Sequence, residues 1–296
     1  MKLSFLVFAL FLTAMNSFAG DATGATGFYI SNDMTTYQAS DVPRLLNQLT
    51  VESPDKNILL YVHGRSHTLE KEWNNINKVE QIYNVRVLML HWDSWNNALG
   101  RPVDNTYEGS RQLDLGLHEA YRFKKNDAEF FKSHKMLLMF HSMGNIVLKN
   151  YLEKSKNDIQ DSSFFDSVIL TGADTPFTGH KKWLSTLNMS RDVYVVTNNK
   201  DAVLLASVGH DYTEIDLGSK NDDRLGLGRG FDNLLFLNTR IAANALYFDL
   251  SSLAGSGHRH YLSDNQDIED LFHFMFKEKF NQIPIGYKSK KNYYRF

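Results

Sequence analysis

The stretch LLMFHSMGNIVLKNYL, Leu137–Leu152, changes its hydrophobic pattern around a single serine. Apolar residues run without interruption up to His141, which is typical of a strand buried on both faces. After Gly144 the apolar side chains recur at helical spacing. Ser142 therefore lies on a turn that joins a strand to a helix and is too short for an ordinary loop.

A serine in this position has two interpretations. As the N-cap of the helix, its hydroxyl would accept a hydrogen bond from the first helical turn and need no other function. Alternatively, a tight strand-to-helix turn holds Ser142 in strained backbone geometry and exposes its hydroxyl above the sheet. Such a turn needs small neighbours, which Gly144 supplies, and it aims the free N–H groups of the helix at the group that the serine attacks.

Short apolar runs alternate with amphipathic stretches along the rest of the chain. The predicted strands are Gly27–Ser31 (an additional edge strand), Asn57–Val62, Val85–Trp92, Lys135–His141, Ser167–Gly172, Asp192–Thr197 and Asn244–Leu250. The predicted helices are Thr68–Tyr83, Ser110–Phe131, Gly144–Ser155 and Asp267–Phe280. Continuous apolar strands alternating with helices predict a doubly wound, mostly parallel α/β sheet with helices on both faces.

Two long segments fit neither pattern. Asp93–Gly109 and Gly209–Asn233 are polar and rich in glycine, and we interpret both as loops that are functional or mobile. The sequence GLGRG, Gly226–Gly230, follows no predicted strand and opens no predicted helix. We interpret it as a flexible turn rather than a phosphate-binding loop.

The N-terminus has the composition of a secretory signal peptide. Lys2 precedes an apolar run, Phe5–Leu12, and small residues lead up to Ala19. The run is too short to span a bilayer comfortably, so cleavage after Ala19 is favoured over a membrane anchor. Residues 20–296 are then predicted to form one domain, exported to the periplasm or the medium.

Composition narrows the classes of function. The net charge is −2 at pH 7, and a nucleic-acid-binding surface would need a basic stripe. The chain has no cysteine and no H-E-x-x-H motif, so neither a metal site nor a cofactor is predicted. After residue 20 no apolar run is long enough to predict a transmembrane helix.

Five further segments share features with one superfamily of enzymes. They are YVHGRSH (Tyr61–His67), LHWDSW (Leu90–Trp95), NNKDAVLLAS (Asn198–Ser207), RLG (Arg224–Gly226) and GHRHYL (Gly257–Leu262). Together with HSMGN they resemble the α/β-hydrolase superfamily, in particular an uncharacterised bacterial esterase/lipase-like branch with an H-S-M-G-N nucleophile elbow. The resemblance covers roughly residues 55–280. Phe140 departs from it, because the usual elbow pattern G-x-S-x-G has glycine there.

The resemblance implies a catalytic triad in the order serine, acid, histidine. Ser142 would be the nucleophile. His258 fits the H-x-x-[YF] pattern as the base, with His260 as the alternative if the register shifts by two residues. Asp201 follows the predicted strand that usually carries the acid, and Asp174, at the end of the preceding strand, is the alternative.

The same resemblance implies an oxyanion hole and an activity. Its donors would be the backbone N–H groups of Met143 and of Arg65, with Gly64 allowing a close approach. The predicted function is cleavage of a small-molecule or lipid-like carboxylic ester through an acyl-enzyme on Ser142. An acyltransferase or amidase with the same triad, or a non-catalytic binding protein that retains the fold, are the alternatives.

Overall fold

The structure is a computed structural model. It describes residues 24–96, 100–127, 133–154, 159–213, 223–231, 237–279, 281–284, 287–290 and 292–296. The predicted signal peptide, residues 1–19, lies outside these ranges, so its cleavage and the predicted export stay predictions.

The described residues form a ten-stranded sheet in the order β2-β1-β4-β3-β5-β6-β7-β8-β10-β9. The strands from β4 across to β8, and β10 beside β8, pair in parallel, whereas β1, β2 and β9 pair antiparallel at the two edges. The strands are β1 Gly27–Ile30, β2 Asp33–Tyr37, β3 Asn57–Val62, β4 Val85–His91, β5 Met136–His141, β6 Ser167–Thr171, β7 Val193–Thr197, β8 Ala245–Asp249, β9 Tyr287–Lys290 and β10 Tyr293–Arg295.

Helices connect the strands and cover both faces of the sheet. They are α1 Val42–Glu52, α2 Leu69–Ile82, α3 Thr106–Asn126, α4 Gly144–Lys154, α5 His180–Leu184, α6 Ala202–Thr213, α7 Leu237–Arg240 and α8 Gln266–Met275. Side chains of α1, α3, α4 and α5 pack with one face, and those of α2 and α8 pack with the other. The predicted doubly wound α/β architecture is confirmed.

Alternation along each strand produces the two cores. On β3, Leu60 and Val62 enter the first core, whereas Leu59 and Tyr61 enter the second. Successive side chains of a strand point to opposite faces, so a strand covered on both sides needs apolar residues at every position. This is the physical reason why the continuous apolar runs in the sequence predicted the central strands correctly.

Several elements differ from the sequence prediction. Helix α3 begins at Thr106 instead of Ser110, and α1, α5, α6, β9 and β10 were not predicted. Part of the predicted loop Gly209–Asn233 is wrong as well. Its start belongs to α6, and Leu227, with its neighbour Leu225, is buried in a short 3₁₀ turn. Within the described residues, no helix combines the length and apolar character needed to cross a membrane.

Candidate active site

Ser142 lies on the turn between β5 and α4 in a strained conformation. Its φ angle is 53°, a left-handed value that costs a residue other than glycine on the order of 1–3 kcal/mol. The backbone N–H of Ser142 donates to the carbonyl of Thr171 at 3.1 Å, at the end of the adjacent strand β6. The turn is therefore held by the sheet and presents Ser142 at the carboxyl ends of the parallel strands.

Two glycines make room for this turn. A Cβ on Gly64 would lie 2.4 Å from the Cβ of Ser142, and a Cβ on Gly144 would lie 2.5 Å from the carbonyl oxygen of Val62. Any side chain at either position would force the turn away from β3. Phe140 needs no such space, because its side chain is fully buried in the first core, which explains why glycine is dispensable there.

Asp201 and His258 form a close pair beside the turn. The Nδ1–H of His258 donates to Oδ2 of Asp201 at 2.7 Å. The other carboxylate oxygen, Oδ1, accepts the backbone N–H groups of Val203 and Leu204 at 3.0 and 3.1 Å, at the start of α6. Asp201 is completely buried. One oxygen therefore anchors the carboxylate to the helix, and the other orients the imidazole.

The ring of His258 lies next to the elbow. A Cβ on Gly172, just beyond β6, would be 3.0 Å from Cε1 of His258, and the rings of His258 and His141 have centroids 4.7 Å apart. Gly172 has a φ angle of 53°, so glycine satisfies both the backbone conformation and the close approach of the ring. The structure thus brings together the predicted residues Ser142, Asp201 and His258.

His260 has a different environment from His258. It is buried, its Nε2–H donates to the carbonyl of Gly257 at 3.1 Å, and its Nδ1 accepts the hydroxyl of Thr171 at 3.2 Å. Burial lowers the pKa of His260 to about 4. Both ring nitrogens are used to hold the loop that carries His258 against β6.

Asp174 is separated from the histidines by its own partners. Its Oδ1 accepts Nε of Arg224 at 2.9 Å and the hydroxyl of Ser207 at 2.7 Å, and its Oδ2 accepts Nη2 of Arg101 at 3.0 Å. Its backbone N–H donates to the carbonyl of Ser142 at 3.2 Å. Asp174 therefore lies beside the elbow, but within an ion-pair network.

The two predicted oxyanion donors flank the same serine. Met143 follows it directly, and in the described part of the chain the backbone N–H of Met143 donates no hydrogen bond. Arg65 follows Gly64, whose Cα carries no side chain and approaches the Cβ of Ser142. An N–H group on each side of a nucleophile is the arrangement that stabilises a developing negative charge.

Sequence reasoning did not assign roles to two residues that assemble the site. Asn198 donates its amide to the carbonyls of Gly255 and Gly257 at 3.0 and 3.1 Å, which holds the His258 loop. Gly226 packs against the end of β6, where its added Cβ would be 2.4 Å from the backbone nitrogen of Ala173. Their signal was the N-x-x-D spacing and the RLG segment, whose contacts depend on distant parts of the chain.

Two further histidines near the elbow are buried. Burial lowers the pKa of His141 below its usual range and that of His63 to about 4. The Nδ1–H of His63 donates to the carbonyl of Gly64 at 2.6 Å, and the indole N–H of Trp92 donates to the carbonyl of His63 at 2.8 Å. His63 thus fixes the loop that faces Ser142. No group of three or more His, Asp or Glu side chains suited to a metal ion occurs among the described residues.

The strand-to-helix elbow, the mostly parallel sheet and the helices on both faces together decide the fold class. The chain has an α/β-hydrolase fold. No protein-family model matches the sequence, and no curated protein shows significant sequence similarity to it.

Solved structures with a similar fold include esterase PE8, with 12% identity over 75% of this chain and 92% of that chain at a TM-score of 0.41. A lipase-esterase related protein from Clostridium acetobutylicum matches with 10% identity over 84% and 99% of the two chains, at a TM-score of 0.39. A phospholipase/carboxylesterase from Dyadobacter fermentans matches with 12% identity over 87% and 99%, at a TM-score of 0.38.

Proposed function

We propose that the protein is a serine hydrolase that cleaves carboxylic esters through an acyl-enzyme on Ser142. The observation that carries the proposal is the 2.7 Å hydrogen bond from His258 to the completely buried Asp201, beside a serine whose φ angle is 53°. A serine hydroxyl is a poor nucleophile at neutral pH, and it needs a base that an acid holds in one tautomer.

In the proposed reaction, the Nε2 of His258 takes the hydroxyl proton while Oγ of Ser142 attacks the ester carbonyl carbon. The carbonyl oxygen becomes an oxyanion and accepts the N–H groups of Met143 and Arg65. Collapse of the tetrahedral intermediate expels the alcohol, which takes the proton from His258, and leaves the acyl group on Ser142. Water then repeats the two steps and releases the acid.

Labelling with a neutral fluorophosphonate, followed by peptide mapping, tests the nucleophile directly. We expect one modified residue, Ser142, at neutral pH, and no labelling or hydrolysis of 4-nitrophenyl butyrate by Ser142→Ala. Ser185→Ala is the matched control, because that hydroxyl only bonds the carbonyl of Lys181 within a surface helix. An N-cap serine without a base would not react.

The result that would overturn the proposal is a folded wild-type protein that takes up no probe, or that is modified at a different serine. Equal turnover by wild type and Ser142→Ala would have the same meaning. An added amine or alcohol that diverts the acyl group from water would assign the protein to acyl transfer on the same serine.

A further inference from the structure

Three guanidinium groups gather beside Ser142 around one carboxylate. We call Arg65, Arg101 and Arg224 the arginine cluster. The carboxylate is that of Asp174, whose backbone N–H donates to the carbonyl of Ser142 at 3.2 Å. The cluster is therefore tied to the residue that the proposed mechanism uses as nucleophile.

Asp174 already uses both of its oxygens. Arg224 Nε lies 2.9 Å from Oδ1, and Arg101 Nη2 lies 3.0 Å from Oδ2. The Arg224 side chain is 3% exposed and that of Arg101 15% exposed. Two partly dry guanidinium groups thus share a single negative charge, and the pair-plus-one carries a net positive charge.

Arg65 adds a third cation from the opposite side of the elbow. Its guanidinium carbon lies 4.4 Å from the centre of the Trp95 ring, a stacking geometry that fixes the plane of the group. Burial lowers the pKa of Arg65, and the charge of Arg101 lowers it further, while Asp174 acts in the opposite sense. Arg65 and Arg101 therefore affect each other electrostatically.

The neighbouring acid on the Arg224 side is oriented toward the backbone. Oδ1 of Asp223 accepts the backbone N–H of Arg224 at 3.1 Å. Among the described residues, the side-chain charges that act on Arg65 are those of Asp174 and Arg101. The excess of positive charge therefore lies where a substrate would meet Ser142.

A desolvated excess of positive charge is costly unless an anion compensates it, and planar guanidinium groups bind oxyanions through two parallel hydrogen bonds. We propose that the arginine cluster is an anion subsite and that the substrates are esters with a free anionic group. This inference rests on the proposed function of Ser142, and it names the substrate class of that site. An ester with a free carboxylate is the simplest member of the class.

Two matched pairs of esters test the subsite. On the acyl side, mono-4-nitrophenyl adipate is compared with its methyl ester, and on the alcohol side 3-carboxyphenyl acetate is compared with its methyl ester. We expect kcat/KM to be about tenfold higher for the charged member of at least one pair, the scale of one charge-assisted hydrogen bond. Raising the ionic strength should reduce this preference.

Variants separate the cluster from a general charge effect. Arg101→Gln should lower the charged-to-neutral ratio of kcat/KM about tenfold, and Arg101→Lys should retain part of it because the charge remains. Arg111→Gln is the control, since Arg111 also pairs with a carboxylate, Glu108 at 2.7 Å, but is 60% exposed on α3. That variant should keep the wild-type ratio.

The outcomes distinguish the two proposals. If Ser142 labels and turns over the neutral esters, but neither charged ester is preferred, the anion subsite is wrong and the hydrolase proposal stands. A preference that Arg101→Gln leaves unchanged also overturns the subsite. If Ser142 takes up no fluorophosphonate and hydrolyses none of the four esters, both proposals fail. The comparison in wild type needs no variant to fold.

Discussion

Asp174 and Asp201 stand at the ends of adjacent strands, and their surroundings give them different chemistry. Both are almost completely buried. Asp201 faces two backbone N–H groups and the imidazole of His258, whereas Asp174 faces two guanidinium groups and a hydroxyl. One carboxylate is left with an oxygen to orient a base, and the other is consumed by cations. The comparison teaches that a buried carboxylate is assigned by its partners rather than by its position on a strand.

The histidine on the Asp201 side should produce the largest effect. His258→Ala removes the proposed base, and by analogy with other triads it should lower kcat roughly 10⁶-fold, about as much as loss of the nucleophile. His260→Ala should lower kcat less than about tenfold, because its nitrogens bond Gly257 and Thr171 instead. Steady-state hydrolysis of 4-nitrophenyl butyrate measures both. An inactive His260→Ala beside an active His258→Ala would move the base to His260.

Asp201→Asn should follow in size. The amide can still accept the N–H groups at the start of α6, but it no longer stabilises the imidazolium or the required tautomer. We expect kcat to fall about 10⁴-fold with little change in KM. The measurement is kcat at neutral pH, together with circular dichroism to verify folding. A variant with near wild-type kcat would break the contrast with Asp174.

Asp174→Asn should act on stability more than on chemistry. Removing this charge leaves the guanidinium groups of Arg101 and Arg224 without their common counter-ion, which should cost about 3 kcal/mol of unfolding free energy. Urea titration measures this change. Glu153→Gln is the control, because its pair with Lys149 lies on the surface and should contribute less than about 1 kcal/mol. A loss of kcat as large as that of Asp201→Asn would transfer the catalytic role to Asp174.

Acid should destabilise the protein through the buried histidines around the site. Burial lowers the pKa of His63 and of His260 to about 4 and that of His91 to about 3. The unfolded chain therefore binds more protons than the folded one below pH 6.5. Stability is fully present above that value and falls as the pH drops toward 4, by up to about 1.4 kcal/mol per pH unit for each histidine.

Urea midpoints between pH 7.5 and 4.5 test this dependence. The slope should be smaller in His260→Gln than in wild type, because one buried neutral ring is gone. A wild-type midpoint that does not change over this range would show that these rings are protonated in the folded state. It would also remove the argument that His260 is held neutral in the loop beside β6.

Local pattern accounted for the central strands and for the position of the elbow. The runs around β3, β4, β5, β6, β7 and β8 are apolar at every position, and burial on both faces leaves few other residue types possible. Elements at the margins were missed. Helix α6 is hardly amphipathic in sequence, with Val203 and Leu205 exposed, and the edge strands β9 and β10 are short and polar, so neither carries the usual signal.

By itself, the sequence determined the fold class and the small set of residues from which a site could be drawn, because periodicity and the tight serine turn are local properties. Which acid meets which histidine was decided only by the tertiary structure. Asp201 and His258 are far apart in the chain, and their 2.7 Å hydrogen bond requires β7 and the loop after β8 to end side by side. The pairing of Arg101 and Arg224 with Asp174 is likewise non-local. Contacts between distant segments depend on how the sheet is ordered, and no local pattern encodes that order.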